Sequence, residues 1–269
     1  MSGRTPPLEA VAAWALALLW LAPILFAFWA AIHPPEYLTK FDLTAPLTLV
    51  NFERAFAAAP FAQYMLNTAI LVTGILAAQF VLCTLAAYAF ARYEFRGAGV
   101  LFSLILVQLM VAPEVLMVEN YATIAKLGLV DSLAGVAAPY VASAFGIFLL
   151  RQTFRQVPKA LEEAAVIEGA STMQVLLRVY VPLAKPVYVA YGLVSVSFHW
   201  NNFLWPLVVT SSETTRPVTV GLQVFASVDQ GVDWAVISAA ALATSAPLLI
   251  GFLLFQRAFV QSFMRAGIR

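Results

Sequence analysis

The sequence predicts an all-α, polytopic membrane protein: a helical bundle with six transmembrane helices and one polar cytoplasmic hairpin. Hydrophobic residues make up 62% of the 269 residues, and charged residues make up 11%. Soluble domains average about 45–50% apolar and about 25% charged residues, so this composition indicates an integral membrane protein. The length suits a single transmembrane domain over residues 1–269. The formal net charge of +1 gives no reason to expect a nucleic-acid partner.

Six apolar stretches approach the length of a membrane-crossing helix, which is about 17–25 residues. We expect spans at about 10–32, 64–91, 98–118, 134–150, 187–210 and 234–255. The first stretch follows Arg4 and superficially resembles a signal peptide, but its 23 residues exceed the usual apolar core of such a peptide. We therefore predict an uncleaved first span. A short surface helix is expected at 121–127, ended by Gly128.

The distribution of Lys and Arg predicts the orientation, because cytoplasmic loops carry an excess of both residues. If both termini and the polar hairpin share one side, that side holds eleven of the fifteen basic residues. The eleven are Arg4, Arg92, Arg96, Arg151, Arg155, Lys159, Arg178, Lys185, Arg257, Arg265 and Arg269. Lys40, Arg54, Lys126 and Arg216 lie on the other side. The hairpin and both termini are therefore predicted to be cytoplasmic.

The polar hairpin at 157–182 separates the fourth and fifth spans and is predicted to form two short helices. Pro158 suits a first helical position, and Gly169 predicts a tight turn at a place where a side chain would clash. Ser171 can cap the second helix, which Pro182 is expected to end. Periodicity alone favours an ordinary amphipathic hairpin that rests on the membrane surface.

The hairpin contains a spaced motif that starts at Glu163 and runs Glu-Ala-Ala, three residues, Gly, nine residues and Val-Tyr-Val-Pro, ending at Pro182. This motif resembles the EAA loop of ABC importer permeases, whose pattern is E-A-A, three residues, G, nine residues, I-x-L-P. Val179 and Val181 replace the usual Ile and Leu, and Glu168 stands where Asp is more usual. The resemblance implies that the hairpin docks into a groove on an ATPase subunit and transmits its closing motion.

The same resemblance implies which residues couple to the ATPase and which partners are needed. The expected coupling residues are Glu162, Glu163, Ala164, Ala165, Glu168, Gly169, Ala170 and Pro182. The expected partners are an ABC ATPase dimer that binds ATP and Mg²⁺, a second homologous permease subunit, an extracytoplasmic solute-binding protein and the lipid bilayer. The expected location is the bacterial inner (cytoplasmic) membrane, and the expected mechanism is alternating access.

Further stretches resemble the carbohydrate branch of these permeases, which includes the maltose and glycerol-phosphate systems. They are residues 51–56 with Asn67-Thr68, residues 149–154 and residues 200–207. With the hairpin they extend the resemblance over nearly the whole chain, which implies a sugar or a related polyol as substrate. The tail, residues 261–269, departs from the common maltose-type ending, so the resemblance does not indicate maltose.

No motif for covalent chemistry is present in the sequence. The P-loop pattern G-x-x-x-x-G-K-[ST] is absent, and the two histidines, His33 and His199, have no metal-ligand spacing. Cys83 is the only cysteine, which excludes disulfides within the chain and cysteine-based zinc clusters. We therefore expect no enzymatic activity and no cofactor in this chain, with ATP hydrolysis on a separate subunit.

Polar residues in the fifth span are the candidates for a substrate pathway. With two flanking tryptophans they are Ser195, Ser197, His199, Trp200, Asn201, Asn202 and Trp205. Hydroxyl and amide groups bond sugar hydroxyls, and aromatic rings cover apolar sugar faces, so this mixture suits a polyol. Alternatively, the tryptophans form an interfacial belt and the polar groups bond neighbouring helices. For His199 alone packing is favoured, and Asn67, Gln79 and Gln108 are expected to be helix–helix contacts.

Two other function classes stay open at the level of sequence. A secondary transporter of a small polar solute typically carries acidic residues inside the membrane, and no Asp or Glu lies deep in a predicted span. A structural membrane subunit would need no pathway, so the polar fifth span counts against it. A phosphorylated substrate would call for a cation deep in a span, and none is found there. A neutral ligand is favoured, while sugar, glycerol, glycerol phosphate and other polyols stay open.

Overall fold

The computed structural model describes residues 7–38, 42, 44–226 and 233–267, without the side chains of residues 7, 8, 226 and 257–267. The positions of both chain ends lie outside the described residues, and so do Arg4, Lys40 and Arg269 of the charge argument. The side chains of Arg257 and Arg265 also lie outside them.

The described residues form helices that are joined by turns and loops. The α-helices are α1 Pro7–Ala31, α2 Val50–Ala58, α3 Phe61–Arg92, α4 Ala98–Val107, α5 Met117–Lys126, α6 Leu133–Ala137, α7 Ala144–Gln156, α8 Lys159–Ile167, α9 Thr172–Val175, α10 Val181–Leu183, α11 Lys185–Trp200, α12 Leu204–Val209, α13 Val218–Gly221 and α14 Trp234–Gly267. Internal contacts divide the chain into two compact units, residues 1–62 with 221–247, and residues 63–220 with 248–269. A single domain over residues 1–269 stays a prediction.

In the first unit, a buried asparagine secures the end of α1. The Asn51 amide nitrogen donates to the carbonyls of Ala31 and His33 at 3.1 and 2.7 Å. The Ala31 carbonyl belongs to the last turn of the helix, where carbonyls lack partners within the helix, and the His33 carbonyl follows that turn. An ion pair of 2.9 Å joins Arg54 to Asp233, ahead of α14. The stretch 51–56 therefore fastens the loop after the first span.

In the second unit, α3 contributes to two apolar clusters at different heights along its length. The first cluster contains Cys83, Ala87, Tyr88, Phe102, Ile147, Leu150, Phe154, Val157, Val175, Leu176, Tyr180 and Ala184. The second contains Leu71, Ile75, Ile124, Val136, Trp205 and Val209. Cys83 is fully buried, as expected for a packing residue. The first cluster joins the two hairpin helices to α3 and α7, so the hairpin belongs to the core of this unit.

The described residues contain up to six candidate spans, of which three are single long helices. Those three are Glu9–Ala31, Phe61–Arg92 and Trp234–Gln256. The other three are helix pairs bent at a short break: Ala98–Met110 with Pro113–Lys126 by 97°, Leu133–Tyr140 with Ala144–Gln156 by 47°, and Thr172–Leu183 with Lys185–Trp200 by 75°. The all-α fold is confirmed, with up to six spans in the described residues.

The stretch 98–118, expected as the third span, is not one continuous helix. Its helical course ends at Met110, and Ala112 takes an extended backbone (φ −64°, ψ 134°). Pro113 follows, and a proline disfavours the helical region for the residue before it. The expected surface helix at 121–127 starts earlier, at Met117, and Gly128 follows it with φ +69°.

The fifth span, expected at 187–210, is also broken. α11 ends at Trp200, and α12 restarts at Leu204. Pro206 lacks an N–H group, so it fits a first helical turn, where that group needs no partner in the helix. The restart at Leu204 gives Pro206 this place.

The hairpin has the predicted helix–turn–helix order with two corrections at its prolines. Pro158 precedes the first helix instead of starting it. Gly169 turns the chain with φ +83°, and Ser171 caps the second helix through a capping box with Gln174. Pro182 does not end that helix, because a π-helical turn at Leu176–Tyr180 leads directly into α10.

Candidate functional site

The inward side of the hairpin holds a partly buried ion pair. The side chain of Arg92, the last residue of α3, is only 8% exposed, and its Nε lies 3.2 Å from Glu162 Oε2. A second nitrogen of Arg92 donates to the Val157 carbonyl at 2.8 Å. The Tyr180 hydroxyl donates to Glu162 Oε2 at 2.6 Å, and the guanidinium lies 4.7 Å from the centre of the Tyr180 ring. Both hairpin helices thus contact the end of α3.

The outward side of the hairpin exposes both acidic and aliphatic side chains. Glu163, Ala164, Glu168 and Gly169 are exposed. Between them, Val166 is 57% and Ile167 86% exposed, although both side chains are aliphatic. Exposed aliphatic groups beside charges are typical of a protein interaction surface. We call this surface, formed by residues 163, 164 and 166–169, the outer hairpin face.

The structure therefore separates the eight predicted coupling residues. Glu162 faces inward and bonds within the chain, while Ala165 and Ala170 are half-buried against the first apolar cluster. Pro182 is exposed within the helical segment that follows the π-turn. Only the remaining four residues belong to the outer hairpin face. Sequence reasoning placed adjacent Glu162 and Glu163 in one role, and the structure places their carboxylates in different environments.

A cleft of about 970 Å³ lies beside the hairpin, between the ends of α3, α7 and α8. Arg151, Arg155, Lys159 and Glu94 are among its lining residues. Arg151 is held in place, since its Nε donates to the Phe90 carbonyl at 3.1 Å and its guanidinium stacks 4.0 Å from the Phe102 ring centre. Arg151 and Arg155 lie in the second half of α7, and Lys159 starts α8. The charge distribution predicts that this side of the chain is cytoplasmic.

A second group of polar contacts lies around Gln79, midway along α3. Its amide oxygen accepts hydrogen bonds from the Tyr191 and Ser195 hydroxyls at 2.8 and 2.6 Å. Its amide nitrogen lies 2.8 Å from the Tyr140 carbonyl and 3.3 Å from His199 Nε2. Gln79 therefore joins α3 to α11 and to the break before α7. The prediction of a helix–helix contact is confirmed for Gln79, although its central position was missed.

The seven predicted pathway residues do not share one face. Ser195 and His199 are 5% exposed and face Gln79. Trp205 is 4% exposed, and its indole nitrogen donates to the Val136 carbonyl at 3.1 Å, so the indole packs inside the unit.

The other members of the group lie nearer the surface. Ser197 and Asn201 are exposed one helical turn apart, while Trp200 and Asn202 are half-buried. The Asn202 amide donates to the Tyr140 hydroxyl at 3.0 Å. Ser197 and Asn201 are thus the two exposed members, and the Asn201 amide nitrogen donates to the Ser197 carbonyl at 2.8 Å.

At the other end of the second unit, Asp131 ties two loops together. One carboxylate oxygen accepts hydrogen bonds from the Ser211 and Ser212 N–H groups at 2.9 and 3.0 Å, and from the Thr215 hydroxyl at 2.5 Å. These hydrogen bonds, with that of Thr215 the strongest, hold the pKa of Asp131 well below its ordinary value of 3.8. Asn67, from the carbohydrate-type motif, donates to the carbonyl of Thr214 at 2.8 Å. Its role is to fasten a loop.

Comparison with known proteins agrees with this architecture. Residues 10–265 match the family model described as "Binding-protein-dependent transport system inner membrane component". The sn-glycerol-3-phosphate transport system permease protein UgpE of Pectobacterium atrosepticum is 34% identical over 203 residues, covering 75% of this chain and 72% of that protein. The arabinooligosaccharides transport system permease protein AraQ of Halalkalibacterium halodurans is 28% identical over 260 residues, covering 94% and 93%.

A solved structure shares the fold. The crystal structure of a bacterial ABC transporter involved in the import of the acidic polysaccharide alginate superposes with a TM-score of 0.84 at 24% identity, covering 94% of this chain and 95% of that one. The family is one of non-catalytic membrane components without a cofactor, and nucleotide is bound by the ATPase partner. The resemblance to ABC importer permeases is therefore confirmed: the chain belongs to the family of inner membrane components of binding-protein-dependent ABC transporters.

Proposed function

We propose that this permease subunit carries a neutral sugar or related polyol into the cytoplasm by alternating access. A separate ATPase dimer supplies the free energy, a second homologous permease completes the channel, and a solute-binding protein delivers the ligand. The similarity to AraQ supports a neutral sugar, because its name refers to arabinooligosaccharides, whereas the name of UgpE refers to the anionic glycerol-3-phosphate. Membership in a binding-protein-dependent family argues against an ion-coupled secondary transporter and against a purely structural subunit.

The observation that carries the proposal is the outer hairpin face. Ile167 exposes 86% of its surface beside the carboxylates of Glu163 and Glu168. In water such exposure of an aliphatic side chain is unfavourable, and a docked partner removes it. The proposed partner is the ATPase subunit, which requires this face to be cytoplasmic. The distribution of basic residues predicts the same side for the hairpin and for both chain termini.

The mechanism requires motion of the hairpin to reach the spans. The second hairpin helix runs from Thr172 to Leu183 and meets α11 at a bend of 75°. When two ATPase subunits close on ATP, the hairpins follow, and α11 follows its hairpin. ATP can shift this equilibrium only by its higher affinity for one of the two states.

For the substrate, Ser197 and Asn201 are the proposed contacts in this chain. Both are exposed on α11 or at its end, and both offer groups that hydrogen-bond to hydroxyls. Ser195, His199, Trp200, Asn202 and Trp205 are proposed to support them, since most bond or pack within the unit. Glycerol phosphate is the second candidate, favoured by the similarity to UgpE, with the partner permease supplying a cation.

The test is transport by the reconstituted complex with its cognate solute-binding protein, whose ligand is first identified by calorimetry against a panel of sugars, glycerol and glycerol phosphate. The proposal predicts ATP-dependent uptake of a neutral sugar or polyol. Uptake of a phosphorylated ligand only would select the second candidate. Uptake driven by an ion gradient without ATP would contradict both.

A further inference from the structure

We propose that Arg92 is a positioning residue that fixes the hairpin to the inner end of α3, so that the hairpin moves three spans and not only the two to which the chain joins it. The inference rests on the proposed function, in which the hairpin receives the motion of the ATPase. α7 and α11 follow the hairpin because the chain continues from α7 into the hairpin and from the hairpin into α11. α3 has no such continuity with the hairpin, so a noncovalent attachment must transmit force to it.

The Arg92 guanidinium contacts three parts of the hairpin at once. It pairs with Glu162 on α8 at 3.2 Å and donates to the carbonyl of Val157, ahead of α8, at 2.8 Å. It also lies over the ring of Tyr180, in the second hairpin helix, at 4.7 Å. A planar guanidinium can make these contacts in several directions, whereas a lysine ammonium would lack the same geometry.

The tyrosines of this region add a second attachment one turn earlier on α3. The Tyr88 hydroxyl lies 3.5 Å from Glu162 Oε1, and the Tyr88 and Tyr180 rings meet edge to face at 5.1 Å. Tyr180 itself donates to the other oxygen of Glu162. Two attachments at different points resist rotation as well as separation, so the hairpin and the end of α3 form one rigid group.

Burial makes this attachment difficult to open during the cycle. The Arg92 side chain is 8% exposed, and the Glu162 side chain is 28% exposed. Separation of the pair would leave a charge in a poorly solvated place without its partner. The neighbouring Glu163 is exposed and stays available to another subunit. The two adjacent carboxylates thus have different roles: Glu162 binds the hairpin to α3, and Glu163 contacts the partner subunit.

The experiment uses the complete transporter in proteoliposomes and measures substrate moved per ATP hydrolysed. Arg92→Gln is expected to lower this ratio by roughly tenfold, a typical size for coupling between sites, while the ATPase still co-purifies. Arg92→Lys is expected to lie between Arg92→Gln and the wild type, and the exchange of Arg92→Glu with Glu162→Arg to recover part of the loss. Arg96→Gln is the matched control, because Arg96 is exposed in the loop that directly follows α3.

A distance measurement separates coupling from simple destabilisation and does not depend on the Arg92 variants assembling. Spin labels are placed at Glu94→Cys, just after α3, and at Lys159→Cys, at the start of α8, in a Cys83→Ala background; both positions line the cleft. In otherwise wild-type transporter, their distance should be the same with and without ATP.

Two results would overturn the inference. One is a wild-type ratio of transport to ATP hydrolysis in Arg92→Gln, and the other is a label distance that changes with ATP in the wild type. Either result leaves the proposed function intact as long as the wild-type complex transports. Failure of the wild type to transport any sugar or polyol would instead contradict the proposed function.

Discussion

At the scale of single residues, the spacing motif identified the right segment but not the direction in which each side chain points. Glu162 and Glu163 are adjacent acidic residues near the start of one helix, so sequence alone treats them alike. A helix turns about 100° per residue, and this rotation directs one carboxylate to Arg92 and the other to solvent. The inward partner, Arg92, is distant in sequence and could not be read from the motif.

Gly169 illustrates how a correct residue can be predicted for an incomplete reason. A side chain at this position was expected to clash, yet a Cβ there would meet no atom of the chain within 4 Å. The backbone supplies the reason instead, since φ is +83°, a region that glycine adopts far more readily than other residues. The open space around Gly169 is then available to the partner.

Gly169→Asp should abolish transport while expression and membrane insertion stay normal, because the new carboxylate would enter the proposed ATPase contact. Uptake assays with quantified membrane protein measure the effect. Gly97→Asp is the matched control: Gly97 has nearly the same backbone (φ +85°) and the same open surroundings, outside the hairpin. Normal uptake in Gly169→Asp would remove the turn from the docking surface, and equal loss in both variants would point to backbone strain alone.

Asp131→Asn should reduce stability at neutral pH and flatten its dependence on acid. The hydrogen bonds from Thr215, Ser212 and Ser211 lower the pKa of Asp131 below its ordinary 3.8. Its stabilisation is therefore complete above about pH 4 and is lost as the pH falls through the lower folded pKa. Melting temperatures in detergent at several pH values should differ most between wild type and variant at pH 7 and converge below pH 4. A constant difference down to strong acid would contradict this.

At the scale of elements, apolar length predicted the number of spans, whereas the breaks depended on backbone details. The prediction missed the 97° bend before Pro113 and the interruption between Trp200 and Leu204. Both breaks precede a proline, so a signal existed, but an apolar window averages over it. Pro182 shows the opposite error: a π-turn, in which the Val181 N–H bonds to the Leu176 carbonyl, carries the helix into the turn that contains this proline.

Gln79→Leu should destabilise the second unit by about 1–3 kcal/mol, because it leaves the hydroxyls of Tyr191 and Ser195 without their common acceptor. The melting temperature of the purified permease measures this loss. Gln108→Leu makes the same chemical change at an exposed position of the third candidate span and should have little effect. If both variants melt alike, the contacts around Gln79 do not hold α3 to α11.

At the scale of the whole molecule, composition and the hairpin motif were sufficient to predict the family, which the match over residues 10–265 confirms. The substrate could not be predicted to the same depth. Of the polar residues in the fifth span, Ser195 and His199 contact Gln79, and Asn202 bonds the Tyr140 hydroxyl, so these side chains interact inside the unit. A list of polar residues does not reveal which of them face a ligand, because that depends on helix rotation and on the breaks.

The central claim is that the outer hairpin face meets the ATPase on the cytoplasmic side. Cross-linking from Ile167→Cys, in a Cys83→Ala background and in intact complexes, tests it most directly. The account predicts a cross-link to the ATPase subunit whose yield changes with ATP, and none from Lys126→Cys, which the charge distribution places on the opposite side. Labelling of Ile167→Cys by an impermeant reagent from outside the cell, without any cross-link to the ATPase, would contradict the account.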